Sequence, residues 1–188
     1  MVLLGAFLKS HEEVKVEKKG KGAFYVPLHF DLEGRTCLFV GGGRVNERRV
    51  LNLLPSGARL VVVSPELTPP LHSVVEEGKV EWRRRTFLES DLEGVFLVFV
   101  AVNSDPRPIV EAARDRGVPV NLASSGREGD FIVPSVVREG PLVLSLSTSG
   151  RNPALTKTVA GWLRGRLKGE LRQVLEKCQG LKGEELRE

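Results

Sequence analysis

The chain has little sulfur. Its 188 residues include two cysteines, Cys37 and Cys178, and one methionine. The cysteines stand far apart, one in an apolar run and one in a charged tail, so they offer neither a disulfide framework nor a metal-ligand spacing. A cysteine inside a Val/Leu-rich run is ordinary core packing, and the lack of disulfides fits a reducing cytoplasm. Long apolar runs are also missing. Met1 to Leu8 is apolar, but Lys9 to Lys21 is dense in charge and no small-residue cleavage site follows, so neither a signal peptide nor a membrane span is expected. These absences lead to the expectation of a cytoplasmic protein with no membrane partner and no bound metal. There is no internal repeat and no long Pro/Ser/Gly linker. Glutamine occurs only twice while Arg and Glu are plentiful, a bias that suits a heat-adapted source.

What is present is the balance of a globular protein, 41% hydrophobic and 28% charged residues. A chain of this length holds one ordinary domain and a small appendage, and folding can bury roughly 70% of its surface. The formal net charge is +4. Arginines cluster as Arg83-Arg84-Arg85, as Arg44 with Arg48-Arg49, and as Arg164 with Arg166. Such clusters suit a nucleic acid, a dinucleotide phosphate or a polycarboxylate, or they are solvated faces. Charge alone does not choose among these.

Hydrophobic patterning is more decisive. Thr36 to Val40 reads as a buried strand, Gly41-Gly42-Gly43 as a turn, and Val45 to Leu54 as a helix ended by Ser56-Gly57. Ala58 to Val63 is a second strand, stopped by Ser64-Pro65, which completes one βαβ unit. A short helix at Leu71 to Glu77, strands at Val80 to Arg84 and Val95 to Val102, a helix at Pro108 to Arg116 and a strand at Val118 to Leu122 continue the alternation. The run from Val95 is too apolar for a wet face, which fits a parallel sheet covered on both sides. Beyond Asp130 the texture changes to a β-hairpin, Phe131 to Val137 and Leu142 to Ser147, around Arg138-Glu139-Gly140-Pro141. Asn152-Pro153 then opens a helix to about Lys168, followed by a charged amphipathic helix. A hairpin with two helices buries little alone, so a homodimer formed through this region is expected. The fold class is thus α/β: a Rossmann-type parallel sheet, a small β-hairpin dimerisation region and C-terminal helices. The expected divisions are a flexible extension at 1–22, a dinucleotide-binding domain at 23–130, the hairpin at 131–152 and a helical region at 153–188.

The strongest motif is Val40-Gly41-Gly42-Gly43-Arg44-Val45-Asn46, a glycine turn between strand and helix. Gly41 permits the tight turn, Gly43 lets backbone amides approach a pyrophosphate, and the start of the helix attracts the phosphates. Asn46 stands where Gly-x-Gly-x-x-Gly has its third small residue, a departure from the pattern. Ser64, Pro65 and Glu66 end the second strand, where an acid commonly meets the ribose hydroxyl and no arginine offers itself to a 2′-phosphate. NAD is therefore favoured over NADP.

Several motifs together resemble the precorrin-2 dehydrogenase and sirohaem synthase N-terminal family. They are Tyr25-Val26-Pro27-Leu28-His29-Phe30-Asp31-Leu32, the glycine turn with Glu47-Arg48-Arg49, Asn121, Asp130-Phe131-Ile132-Val133-Pro134-Ser135, and Ser147-Thr148-Ser149-Gly150 with Pro153-Ala154-Leu155. The resemblance covers about Phe24 to Leu167. It implies oxidation of precorrin-2, a polycarboxylate tetrapyrrole, to sirohydrochlorin with NAD⁺, in some members with insertion of iron to make sirohaem. It also implies a dimer whose tetrapyrrole site lies between the dinucleotide domain and the hairpin. Many members carry an aspartate after the strand that ends here at Val120-Asn121, and this chain has Ser124 there. Serine is no carboxylate base, and metal insertion depends on a positioned base more than hydride transfer does. A dehydrogenase with weak or absent chelatase activity is expected.

The candidate catalytic residues are accordingly Ser124, Asp105 and His29, although Asp105 before Pro106 also reads as a turn former and His29 as structural. Gly41, Gly42, Gly43, Arg44, Val45, Ser64, Pro65 and Asn103 are candidates for the cofactor. Ser147, Thr148, Ser149 and Gly150, ahead of the Pro153 helix, are candidates for a substrate carboxylate. Arg44, Arg107 and Arg151 could pair with it, and Asp130 either carries charge near the site or begins the hairpin. Rival readings are a regulatory module that binds NAD or tetrapyrrole without turnover, a bifunctional dehydrogenase and ferrochelatase, and a chelatase on a Rossmann shell. No nucleic acid is expected as partner.

Overall fold

The protein is described by a computed structural model covering residues 25–124, 128–140 and 142–166. The expectations for residues 1–22, for Pro141 and for the last charged helix lie outside the described residues.

The first strand, β1 (Thr36–Val40), has four fully buried residues and leads through the glycine turn into α1 (Arg44–Leu53). A single 3-10 turn at Leu54–Ser56 and Gly57, at φ 71°, then reverse the chain into β2 (Arg59–Val63). Next come α2 (Pro69–Glu76), β3 (Glu81–Arg83), β4 (Val95–Val100), α3 (Arg107–Asp115) and β5 (Val120–Leu122). All five strands pair in parallel in the order β3-β2-β1-β4-β5. Because β1 lies between β2 and β4, successive crossovers leave it in opposite directions and open a crevice at its C-terminal end, where open α/β sheets bind ligands.

Two apolar clusters cover the two faces, as a near-continuous Val/Leu/Phe sheet requires. One joins Leu38, Val61, Val98 and Val120 to Ile109, Val110 and Ala113 of α3. The other joins Cys37, Phe39, Leu60, Val62 and Phe99 to Val50 of α1 and Leu71 and Val74 of α2. Phe39 and Phe99 stack at 4.7 Å between ring centres, and Phe131 meets Phe99 edge-on at 5.4 Å. Burial raises the Cys37 thiol to a pKa of about 11, so this cysteine is core material.

Two segments depart from the pattern read in the sequence. The run expected to continue to Val102 leaves the ladder after Val100. The Ala101 N–H still bonds to Val40 O at 3.0 Å, and the chain then turns into the crevice. The hairpin, expected from Phe131, begins at Ser135, with β6 (Ser135–Glu139) antiparallel to β7 (Leu142–Leu146). The reason is that residues 129–131 still belong to the edge of the large sheet. Asp130 N–H donates to Val120 O at 2.7 Å, the Val120 N–H returns to Asp130 Oδ2 at 2.9 Å, and Asn121 Nδ2 donates to Phe131 O at 2.7 Å. Asp130 thus finishes β5 instead of starting the hairpin. After the hairpin, α4 (Pro153–Arg166) opens on an Asn152 cap, whose Oδ1 accepts the Leu155 N–H at 3.0 Å. Arg164 donates to Val136 O at 3.2 Å, tying α4 to β6.

Candidate functional site: the cleft at the glycine turn

At the crevice the chain builds a cleft of about 700 Å³. Its floor is Val40 to Gly43, one wall is Val63 to Thr68, and the other runs from Ala101 to Asp105 and on to Pro108 and Ile109. Thr86 and Phe87 close the side nearest β3. Gly41, Gly42, Gly43, Ser64, Pro65, Asn103 and Asp105, all candidates from the sequence, come together here. Arg44 and Val45 form the exposed first turn of α1 and do not line the cleft.

The backbone requires glycine at two of the three positions, for different reasons. Gly41 has φ 103°, and a Cβ there would overlap the Ala101 carbonyl. A Cβ on Gly42 would overlap the Glu66 carbonyl and stand 2.7 Å from Leu67 Cδ2. Gly43 is the α1 N-cap with an ordinary φ of −84°, has open space around its Cα and provides no side-chain cap. The N–H groups of Gly42 and Gly43 have no hydrogen-bond partner among the described residues. Unpaired N–H groups at a helix start, in a cradle that side chains would fill, suit a pyrophosphate. A second sign is Thr68, whose buried Oγ1 has no partner although it lines the cleft. The residues present therefore fit a dinucleotide. Thr68 was missed in the sequence reading, and its place before Pro69-Pro70 as a helix cap was the available signal.

Asn46, the departure from the glycine pattern, is fully buried behind the turn. Its Nδ2 donates to Val40 O at 3.0 Å and Gly41 O at 2.9 Å, and its Oδ1 accepts from Arg49 Nη1 at 3.0 Å.

Charge is arranged locally. Asp105 accepts the Arg107 backbone N–H at 3.1 Å and holds its guanidinium in two-pronged contact at 2.7–2.9 Å. The Arg107 hydrogen bonds lower the Asp105 pKa, so the carboxylate stays ionised at the cleft wall, and the same pairing raises the pKa of Arg107. Arg107 is thus engaged with Asp105, not free for a substrate. The Arg83-Arg84-Arg85 run is no open anion patch either. Arg83 and Arg85 both grip Asp91, at 2.7 and 2.6 Å, and Arg84 lies 5.4 Å from the Trp82 ring centre. Asp91 sits on a 3-10 turn, Glu89–Leu92, that the sequence reading did not foresee.

The other candidates lie elsewhere. His29 is exposed on the irregular segment ahead of β1, with Nε2 3.1 Å from Ser145 Oγ on β7. Ser124 is exposed just past β5 and does not line the cleft. Ser147 to Gly150 form the loop from β7 to α4. Thr148 Oγ1 accepts the Asn152 N–H at 2.9 Å and lies 3.3 Å from Thr156 Oγ1, and Ser149 adopts φ 55°. Arg151, exposed, donates its N–H to Thr148 O at 3.1 Å. Among the described residues no group of three or more His, Cys, Asp or Glu side chains is placed to hold a metal. Nor is any helix among them long and apolar enough to cross a membrane.

Comparison with known proteins agrees with this architecture. Residues 28–135, more than half of the chain, match a family described as "Putative NAD(P)-binding". Siroheme synthase 1 of Aeromonas salmonicida is 33% identical over 162 residues, 84% of this chain and 34% of that protein. The siroheme synthase of Zymomonas mobilis subsp. mobilis is 35% identical over 161 residues, 85% of this chain and 33% of that protein. The chain thus spans about a third of the length of these relatives. The solved structure of SirC, a precorrin-2 dehydrogenase, superposes with a TM-score of 0.69 at 30% identity, covering 81% of this chain and 76% of that one. The chain belongs to the precorrin-2 dehydrogenase and sirohaem synthase N-terminal family, with a nicotinamide-dinucleotide fold as its core.

Proposed function

We propose that the protein is an oxidoreductase that converts precorrin-2 to sirohydrochlorin with NAD⁺ as acceptor. The observation that carries this reading is the cleft at the β1 switch point, floored by unpaired glycine amides, in a chain that matches a precorrin-2 dehydrogenase over most of both lengths. NAD bound there would supply the hydride acceptor. The glycine turn and the start of α1 would hold its phosphates, and Thr68 would offer a hydroxyl at the wall. Glu66, exposed at the end of β2, favours a free ribose hydroxyl over a 2′-phosphate, which supports NAD rather than NADP.

Loss of a hydride from the tetrapyrrole leaves one proton to be taken up. Asp105 is the carboxylate on the β4 side of the cleft; Arg107 holds it ionised with both oxygens engaged, so it can receive that proton only as the Arg107 contact loosens, and water is the alternative acceptor. The Ser147–Gly150 loop, at the start of α4, is the proposed anchor for a substrate carboxylate. A homodimer fits the exposed apolar side chains of the N-terminal segment and α4, among them Val26, Leu28, Phe30, Leu155, Val159 and Trp162. Chelatase activity is weak or absent, because the position after β5 where many relatives have an aspartate is Ser124.

The test is anaerobic incubation of catalytic amounts of protein with precorrin-2 and NAD⁺. NADH and the sirohydrochlorin spectrum are expected to rise together. Binding of both ligands without either product would reverse the reading in favour of a regulatory module.

A further inference from the structure

We propose that Asn46 and Arg49 are positioning residues that hold the glycine turn in its dinucleotide-accepting shape, replacing the small residue of the common glycine pattern. This inference rests on the dinucleotide reading of the cleft and assigns a role to residues that do not line it.

Asn46 is fully buried in the first turn of α1, facing the end of β1. Its Nδ2 donates to the carbonyls of Val40 and Gly41 and lies 3.5 Å from that of Phe99. These carbonyls belong to the ends of β1 and β4 and to the turn itself, so one amide group ties both strands to the helix. A planar trans peptide points its C=O and N–H in opposite directions. Holding Gly41 O against Asn46 therefore directs the Gly42 N–H away from the helix interior, toward the cleft that Gly42 lines.

An asparagine can do this in only one of its two amide orientations. Flipped, its oxygen would face three carbonyl oxygens, with no donor among them. Arg49 removes the ambiguity, because its Nη1 donates to Asn46 Oδ1 and would oppose an NH₂ group in that place. Arg49 is 9% exposed as a residue, and its guanidinium lies 5.7 Å from the Phe99 ring centre and forms no ion pair with a carboxylate among the described residues. Burial, with Arg48 nearby, lowers its pKa to about 10, which leaves it protonated at neutral pH. A buried cation without a counter-ion costs desolvation with no Coulombic return, so it stabilises the fold little, although its loss leaves the buried Asn46 Oδ1 without its donor. Its use lies in orienting Asn46.

That distinction provides the test. NAD⁺ and NADP⁺ affinities are measured by titration calorimetry on the full chain and on Arg49→Met, Arg49→Lys and Asn46→Asp, with thermal unfolding recorded without ligand. Arg49→Met is expected to unfold cooperatively with a modest fall in temperature, as loss of one buried hydrogen bond gives, and yet to raise the Kd of the preferred dinucleotide at least tenfold. Asn46→Asp, which keeps the volume and removes the donors, is expected to match that loss. Arg49→Lys, which still donates to Oδ1, should return the Kd to within threefold of the parent. Affinity within twofold of the parent in Arg49→Met, or no recovery in Arg49→Lys, overturns the proposal. If the substituted chains do not fold, hydrogen exchange of the Asn46 side-chain NH₂ in the unmodified protein decides. Slow exchange is expected, and exchange at the rate of a solvent-exposed asparagine overturns the proposal. A parent chain that binds neither dinucleotide overturns the proposed function itself, an outcome distinct from equal binding by parent and variants.

Discussion

Gly41 stands so close to the Ala101 carbonyl that a side chain on its Cα would occupy the same space. The contact joins the end of β1 to the residue at which the chain leaves β4, the two margins of the crevice. Gly41→Ala must therefore both push β4 away and adopt φ 103°, with the backbone strain alone costing about 1–3 kcal/mol. Gly43→Ala meets open space and an ordinary φ, so the fold should be kept while the new methyl stands at the floor of the cleft. Thermal unfolding and NAD⁺ titration separate the two. Gly41→Ala is expected to lose stability and binding together, Gly43→Ala binding alone.

Asp91 provides a pH-dependent contribution to stability. Its side chain is 1% exposed, and burial by itself would raise the carboxyl pKa. Hydrogen bonds from Arg85, from the Leu88 N–H and from Arg83 outweigh that effect and bring it down to about 2. The unfolded value is about 3.9, so the carboxylate stabilises the fold fully above that pH, and the contribution is lost as pH falls through about 2. Urea unfolding should show Asp91→Asn less stable than the parent by about 2 kcal/mol at pH 7. The difference should shrink toward pH 2.

The parallel sheet was legible because buried strands must be apolar on both faces and because Gly and Pro punctuate them. The glycine cradle was legible for the same reason, as a turn that only residues without Cβ can make. What escaped was long-range pairing. Arg83 and Arg85 look like an open basic patch until the Glu89–Leu92 turn brings Asp91 between them. Phe131 has the composition of a hairpin strand, yet Val120 and Asn121 hold its segment to the sheet. Asn46 read as a defect in a motif, since a sequence pattern does not reveal which carbonyls a buried amide will reach.

The α4 face supplies a test of association. Leu155, Val159 and Trp162 follow one another at i, i+4 and i+7 and are 50%, 37% and 59% exposed, an apolar stripe on the side away from buried Thr156 and Ala160. Trp162 is the largest group on it, with the Arg166 guanidinium 5.3 Å from its ring centre. An interfacial tryptophan commonly contributes about 2 kcal/mol or more, so Trp162→Glu should weaken a dimer by roughly thirtyfold or more. Sedimentation velocity at micromolar concentration is expected to show dimer for the parent and monomer for the variant. A parent that sediments as a monomer would remove the dimer from the proposal.

Ser124 is the position at which hydride transfer and metal insertion can be separated most sharply. It follows β5 on the exposed side, and a hydroxyl there neither holds charge nor accepts a proton at neutral pH. Hydride transfer requires chiefly that the substrate be placed against the acceptor, whereas metal insertion requires that pyrrole nitrogens lose their protons. Ser124→Asp introduces a carboxylate at the position where the family resemblance implies one, without altering the glycine cradle. It is expected to leave NADH formation from precorrin-2 within about twofold and to raise the rate of Co²⁺ or Fe²⁺ insertion into sirohydrochlorin by about 10²-fold or more, the usual worth of a positioned base. Equal chelation by parent and variant would place the base for metal insertion elsewhere, with Asp105 the next carboxylate to substitute.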